Sequence, residues 1–178
     1  LCPPPIFSRE SGQMRAFSRG LFALTLLASA SHATEAARRP MMTGVNLAGA
    51  EFGEPGGAHG TGYRYPEDSE IDEIAKRGFT ILRLPFLWER LQPVLSEALD
   101  AKEFERLDHV VTRSLDKKLA IILDLHNYAR RGEDVIGSDS LPIAAFADVW
   151  RRLAERYKAR DGVVFGLMNE PHDMKTED

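Results

Sequence analysis

Residues 119–128 read LAIILDLHNY. The first seven are apolar apart from Asp124, and the last three are polar. A short, nearly unbroken apolar run suits a strand of a parallel sheet with both faces covered, because neither face then needs polar residues. The polar tail places His126, Asn127 and Tyr128 where that strand ends.

Working outward, three further stretches read as strands: residues 44–48 (GVNLA), residues 80–84 (TILRL), stopped by Pro85, and residues 163–168 (VVFGLM), entered through the Asp161-Gly162 turn. Helical patterns lie between them. Ser69 with Asp72 resembles a capping box that opens a short helix with Ile71, Ile74 and Ala75 on one face, closed by Gly78. Asp100 with Glu103 starts a longer helix striped by Phe104, Leu107, Val111 and Leu115. Pro142 fits the first turn of a third, striped by Ile143, Phe146, Trp150, Leu153 and Tyr157.

The order βαβαβαβ predicts a parallel α/β sheet with right-handed crossovers. Two architectures compete. A doubly wound, flavodoxin-like domain would want a phosphate-binding turn at its first helix, and the Gly-rich residues 53–62 lack the G-x-G-x-x-G entry. A (β/α)8 TIM barrel gathers polar site residues at the C-terminal ends of its strands. That pattern recurs here: Asn46 in the first strand, Arg83 in the second, Asp124 and His126 in the third, Asn169 and Glu170 after the fourth.

An Arg, a His, an Asn and a Glu converging at one mouth make a candidate active site. Each also has a plainer reading. Arg83 could simply pair with Asp124, and a lone His126 could be a satisfied core residue. Asp124, His126, Glu170 and His172 could suggest a metal site, but neither H-x-H nor H-E-x-x-H occurs. Trp88, Tyr63 and Tyr128 could stack on sugar rings with their broad apolar faces; for Trp88 a core position fits equally well. Trp150, on a helix stripe, reads as core.

Composition sets limits. The chain has 178 residues, 43% hydrophobic and 28% charged, with a net charge of −4 and no long run of Lys and Arg. Nothing invites nucleic acid or an anionic membrane. The single cysteine, Cys2, excludes a disulfide framework and a cysteine-ligated zinc site. Residues 14–33 read as a secretory signal: Arg15 and Arg19, the apolar stretch LFALTLLA (21–28), then Ser31-His32-Ala33 with cleavage after Ala33. Residues 1–13 read as upstream, non-domain sequence. Residues 34–178 are the expected domain, secreted and off the membrane once the signal is cleaved.

Together, GVNLAGAEFGE (44–54), ILRLPFLWERLQP (81–93), LDLHNYARRG (123–132) and GLMNEPH (166–172) resemble glycoside hydrolase family 5, most closely its endo-β-1,4-glucanases. The resemblance implies a (β/α)8 barrel of which about the first four β/α units are present. It also implies retaining cleavage of internal β-1,4-glucosidic bonds in cellulose or related β-glucans, polysaccharide or oligosaccharide, with no metal or organic cofactor. Glu170 matches the general acid/base, and Asn169 the neighbour that bonds the sugar 2-hydroxyl. Arg83 matches the residue that orients and charges the nucleophile, and His126 a cleft histidine. Asn127, Tyr128, Asn46, Tyr63 and Trp88 would shape glucose subsites.

A retaining glycosidase needs two carboxyls about 5–5.5 Å apart. The family's nucleophile is a Glu ending a seventh strand, and no acid in residues 1–178 matches it. The chain is therefore expected to be an N-terminal portion, inactive alone. β-Mannanase and exo-β-1,3-glucanase use the same frame and stay open as substrates. So does a non-catalytic carbohydrate-binding role, and the oligomeric state is left open.

Overall fold

The computed structural model describes residues 41–174, all within the compact unit Pro40–Asp178. The expected leader, with its cleavage point after Ala33, lies outside the described residues. Among the described residues no helix is long and apolar enough to cross a membrane.

The elements in chain order are β1 (Gly44–Asn46), α1 (Asp68–Lys76), β2 (Ile81–Phe86), α2 (Trp88–Leu91), α3 (Ala101–Asp116), β3 (Ala120–Leu125), β4 (Arg130–Arg131), β5 (Asp134–Val135), α4 (Ile143–Tyr157) and β6 (Val163–Gly166). The main sheet is parallel throughout and ordered β1-β2-β3-β6. Spatial order thus follows chain order. A doubly wound sheet reverses its order at a switch point; this one does not, and the arrangement is that of consecutive β/α units in a (β/α)8 barrel.

Helix-facing side chains carry the core. Leu82, Leu84 and Phe86 of β2 and Ile121, Leu123 and Leu125 of β3 are fully or almost fully buried. They meet the apolar stripes of the helices: Ile71 of α1, Leu107, Val110 and Val111 of α3, and Val149 and Leu153 of α4. The opposite face of the sheet is more open. Register aligns Asn46, Arg83, Ile122 and Val164 across it. Asn46 and Val164 are exposed and the other two half-buried.

Several local expectations change. Pro85 lies inside β2, paired in register with Asp124. Ile81 N–H and Arg83 C=O bond toward β1, so alternation turns Pro85 to that same side. There β1 has already ended at Asn46, and no donor is needed from Pro85. The N-cap of α1 is Glu67 and not Ser69: Glu67 N–H donates to Glu70 Oε2 at 2.9 Å. Asp100 does cap α3, accepting from Lys102 and Glu103 N–H. Pro142 is the N-cap of α4, one residue before its first turn, and Ile143 stays 67% exposed. Strand β6 ends at Gly166, two residues early, and beyond it the Leu167 carbonyl accepts from Trp150 Nε1 at 3.0 Å.

Candidate active site

The C-terminal ends of the four parallel strands carry one hydrogen-bonded network centred on Arg83. Its Nη1 donates to Asn46 Oδ1 at 2.6 Å. Its Nη2 donates to Asp124 Oδ2 at 2.7 Å and to Asn169 Oδ1 at 2.6 Å. One guanidinium therefore joins β1, β2, β3 and the segment that follows β6. Its planar fork of donors suits this; a lysine ammonium on a flexible stem does not. The bland reading of Arg83, a pair with Asp124, is part of the truth, and the pair is the hub of a larger set.

Asp124 is 5% exposed and accepts a second bond on the same oxygen, from His126 Nδ1 at 3.0 Å. An ionised carboxylate only accepts, so the network assigns the Nδ1 proton to His126. Nε2 then faces the Tyr128 hydroxyl at 3.1 Å. The two rings meet edge to face, with centroids 5.2 Å apart. Asp124 packs tightly against its neighbour in register, Gly166: a Cβ there would stand 3.2 Å from Asp124 Oδ1 and 3.2 Å from Ile122 Cγ2.

Asn169 N–H donates to Leu125 C=O at 2.8 Å, which holds the chain beside β3 after the ladder has ended. Glu170 follows, exposed, with φ at +38°. Tyr128 and Ala129 also have positive φ, at +54° and +62°. Such backbone in non-glycine residues costs about 1–3 kcal/mol each and gathers at functional sites. Among the described residues, Tyr128, Ala129, Glu170 and Asp173 follow β3 or β6, while Ser96 and Lys118 lie elsewhere. His172, next but one to Glu170, lies 6.1 Å from the Tyr128 ring.

Beside this network runs a cleft of about 560 Å³, lined by Phe52, Glu89, His126, Asn127, Tyr128 and His172 among others. Arg83, Asn169 and Glu170 do not line it; they stand on the adjoining end of the sheet. His126 belongs to both.

Two expected subsite residues are placed away from the cleft, and a third lines it with its amide already bonded. Trp88 is fully buried, its Nε1 bonded to Gln92 Oε1 at 3.0 Å and its ring against Phe146. It is core, since a sugar cannot reach it. Tyr63 is 8% exposed and lines a separate cavity of about 520 Å³. Its hydroxyl donates to Glu103, and burial followed by that bond pushes the phenol up to about 12. Asn127 does line the cleft, but its amide is committed: Oδ1 accepts from Trp88 N–H at 2.9 Å and Nδ2 donates to Glu89 Oε2 at 2.8 Å. Tyr128 and Asn46 remain accessible.

The sequence reading missed residues that build the site. Gly166 and Phe52 lie inside the stretches 166–172 and 44–54 but carry no polar group that would single them out. Glu89 and Arg90 lie within WERL, where two charges in a short polar turn look like solvated surface. Among the described residues, no group of three or more His, Cys, Asp or Glu could hold a metal ion.

A family profile described as Cellulase (glycosyl hydrolase family 5) matches residues 43–178. The chain is 34% identical over 139 residues to the manganese dependent endoglucanase Eg5A of Phanerodontia chrysosporium, covering 76% of this chain and 36% of that protein. The metal dependence in that name is that protein's own. XacCel5A solved with cellopentaose superposes with a TM-score of 0.73 at 42% identity, over 75% of this chain and 44% of that one. The Pseudomonas stutzeri endoglucanase Cel5A with cellobiose gives a TM-score of 0.70 at 39% identity, over 73% and 40%. The chain thus spans about two fifths of the length of the proteins it matches.

Proposed function

Because this chain belongs to the cellulases of glycosyl hydrolase family 5, we propose that the whole enzyme hydrolyses internal β-1,4-glucosidic bonds of cellulose or related β-glucans, with Glu170 as its acid/base residue. The observation that carries this reading is the Arg83 guanidinium bonded to Asn46, Asp124 and Asn169. It gathers all four strand ends and fixes the residue beside Glu170.

In this reading Glu170 protonates the leaving glycosidic oxygen, and its carboxylate then deprotonates the attacking water. Asn169 donates through its amide nitrogen to the sugar 2-hydroxyl while its Oδ1 stays on Arg83. That division of labour orients the amide. His126, held by Asp124, presents Nε2 and the Tyr128 hydroxyl to the cleft. Arg83 supplies positive charge that would favour an ionised nucleophile. No residue of this chain is assigned to that second carboxylate. Secretion belongs to the same reading, supported by the pattern in residues 14–33 and by a polymer too large to enter a cell.

The test replaces the matching segment of the Pseudomonas stutzeri endoglucanase by residues 43–174 and measures reducing sugar released from carboxymethylcellulose. Activity is expected, and Glu170→Gln should lower it by 10³-fold or more, on the order of a lost general acid. The loss should be smaller on an aryl cellobioside whose leaving group needs no proton. A soluble, folded hybrid that is inactive, or one indifferent to Glu170→Gln, sinks the reading. The chain alone should release no reducing sugar.

A further inference from the structure

A line of hydrogen bonds runs from the start of α2 to the turn between β4 and β5, and the backbone fixes its polarity at both ends. Trp88 N–H donates to Asn127 Oδ1 at 2.9 Å. The other end of that amide, Nδ2, is therefore a donor, and it meets Glu89 Oε2 at 2.8 Å. From the opposite end, Gly132 N–H donates to Glu89 Oε1 at 2.8 Å. Glu89 thus faces a donor with each of its two oxygens. An ionised carboxylate accepts at both, whereas an amide of the same shape accepts at one and donates at the other. Among side chains of this shape, only the carboxylate completes the line.

The line holds backbone that would not stay in place by itself. Between its contact points at Asn127 and Gly132 lie Tyr128 and Ala129, both at positive φ, a conformation that persists in such residues only where the surroundings over-determine it. Arg130 N–H closes the turn on Asn127 C=O at 2.8 Å, and Arg131 Nη2 ties it to Gln92 C=O at 3.0 Å. The Tyr128 ring leaves this turn edge-on to His126, with its hydroxyl 3.1 Å from Nε2. Glu89 stands beside the cleft and lines both it and the neighbouring Tyr63 cavity.

We propose that Glu89 is a positioning residue: its two acceptor oxygens clamp the 127–132 turn in its strained form, and the turn in that form sets Tyr128 against His126 at the cleft. Glu89 acts through Asn127 and Gly132, and no contact with a sugar is asked of it. A turn already ordered before binding loses little entropy when a ligand arrives. The effect on glucan binding rests on the reading of the cleft proposed above; the placement of Tyr128 does not. The polarity of the line can also be reversed. Glu89→Gln keeps one acceptor and sets an NH2 against a donor. Asn127→Asp sets two carboxylates face to face. Combined, the two substitutions are complementary again: the carboxylate at position 127 accepts from Trp88 N–H and from the amide at position 89, whose oxygen accepts from Gly132 N–H. Shape and net charge are unchanged.

The test is NMR of the full chain, reading the nuclear Overhauser contact between the His126 and Tyr128 rings, whose centroids lie 5.2 Å apart, with cellopentaose affinity measured by calorimetry beside it. Glu89→Gln and Asn127→Asp should each weaken or remove the ring contact, and each should weaken cellopentaose by roughly tenfold, the upper size of one net hydrogen bond. The double variant should recover both. A Glu89 that merely fills space predicts no effect from the isosteric Glu89→Gln and no rescue. A ring contact absent from the parent chain, intact in Glu89→Gln, or still lost in the double variant overturns the proposal. Where Glu89→Gln does not fold, the double variant decides: a folded one with the ring contact supports the clamp, and an unfolded one overturns it. If the parent chain binds no cellopentaose, the glucan reading falls, and the ring contact alone decides for Glu89.

Discussion

Arg83 Nη2 donates to Asn169 Oδ1 at 2.6 Å, across 86 positions of sequence. The bond ties the second strand to the residue preceding Glu170. It fixes to the sheet the residue beside the candidate acid/base Glu170.

Arg83→Lys should therefore damage position before it damages charge. Lysine keeps the cation but loses the fork to three oxygens, leaving Asn46, Asp124 and Asn169 short of a shared donor. The expected loss is about 2 kcal/mol of stability, read from urea denaturation, since the pair is partly buried. Activity of the hybrid enzyme should fall 10²-fold or more, through kcat rather than KM, in keeping with lost positioning. Wild-type kcat in that variant would count against the network.

Two glycines grade the tolerance of the sheet. A Cβ on Gly166 stands 3.2 Å from Asp124 Oδ1, a contact the carboxylate can relieve by moving. Gly166→Ala should cost about 1–2 kcal/mol, and NMR should show the His126 ring shifted as Asp124 moves. A Cβ on Gly44 would lie 1.9 Å from Ile81 C=O, a backbone atom shared by the β1–β2 ladder. Gly44→Ala should be the more damaging of the two by urea midpoint.

Trp88→Ala should cost about 3–5 kcal/mol, the range for deleting a large buried aromatic, while Trp88→Phe should cost less but leave Gln92 Oε1 without its donor. Neither should act through sugar affinity. If Trp88→Phe folds normally yet loses cellopentaose binding selectively, the buried placement is wrong.

Asp148 should contribute to acid sensitivity, alongside Glu70, whose carboxyl the bond from Arg64 likewise holds down at about 2. Bonds from Arg152, with help from Arg151 and Gln92, hold the Asp148 carboxyl down at about 2, against an ordinary 3.8. A carboxyl lowered in the folded state stabilises above its unfolded value, and that contribution is lost as pH falls through the folded one. The window is therefore pH 4 to 2, and the contribution is on the order of 1 kcal/mol after solvent screening. Asp148→Asn should flatten the stability profile there in chemical denaturation at stepped pH. An unchanged slope would show that the ion pairs contribute nothing.

The sequence by itself determined the order of the four parallel strands and the three long helices between them, though not α2 or the β4–β5 pair, and the identity of most polar groups at the strand ends. Apolar runs such as residues 119–125 and striped helices such as Ala101–Asp116 are local signals, because burial of one face imposes a period on neighbouring residues. It also named Arg83, His126, Asn169 and Glu170, since polar residues ending apolar strands stand out from their context. Ends of elements were less legible: Ser69 has the chemistry of a cap, yet Glu67 takes the place because Glu70 reaches back to its N–H while also pairing with Arg64.

Tertiary structure alone decided what each aromatic and charged side chain touches. Trp88 and Phe52 are both aromatic residues beside strand ends, and nothing local separates them; one, on α2, is fully buried with its ring against Phe146, the other stays exposed, its backbone carbonyl bonded to a guanidinium 38 positions away. Gly166 matters because Asp124 lies beside it, a neighbour supplied by the β3–β6 register. Those assignments depend on pairs far apart in sequence, whose contact free energies exist only once the sheet has brought them together.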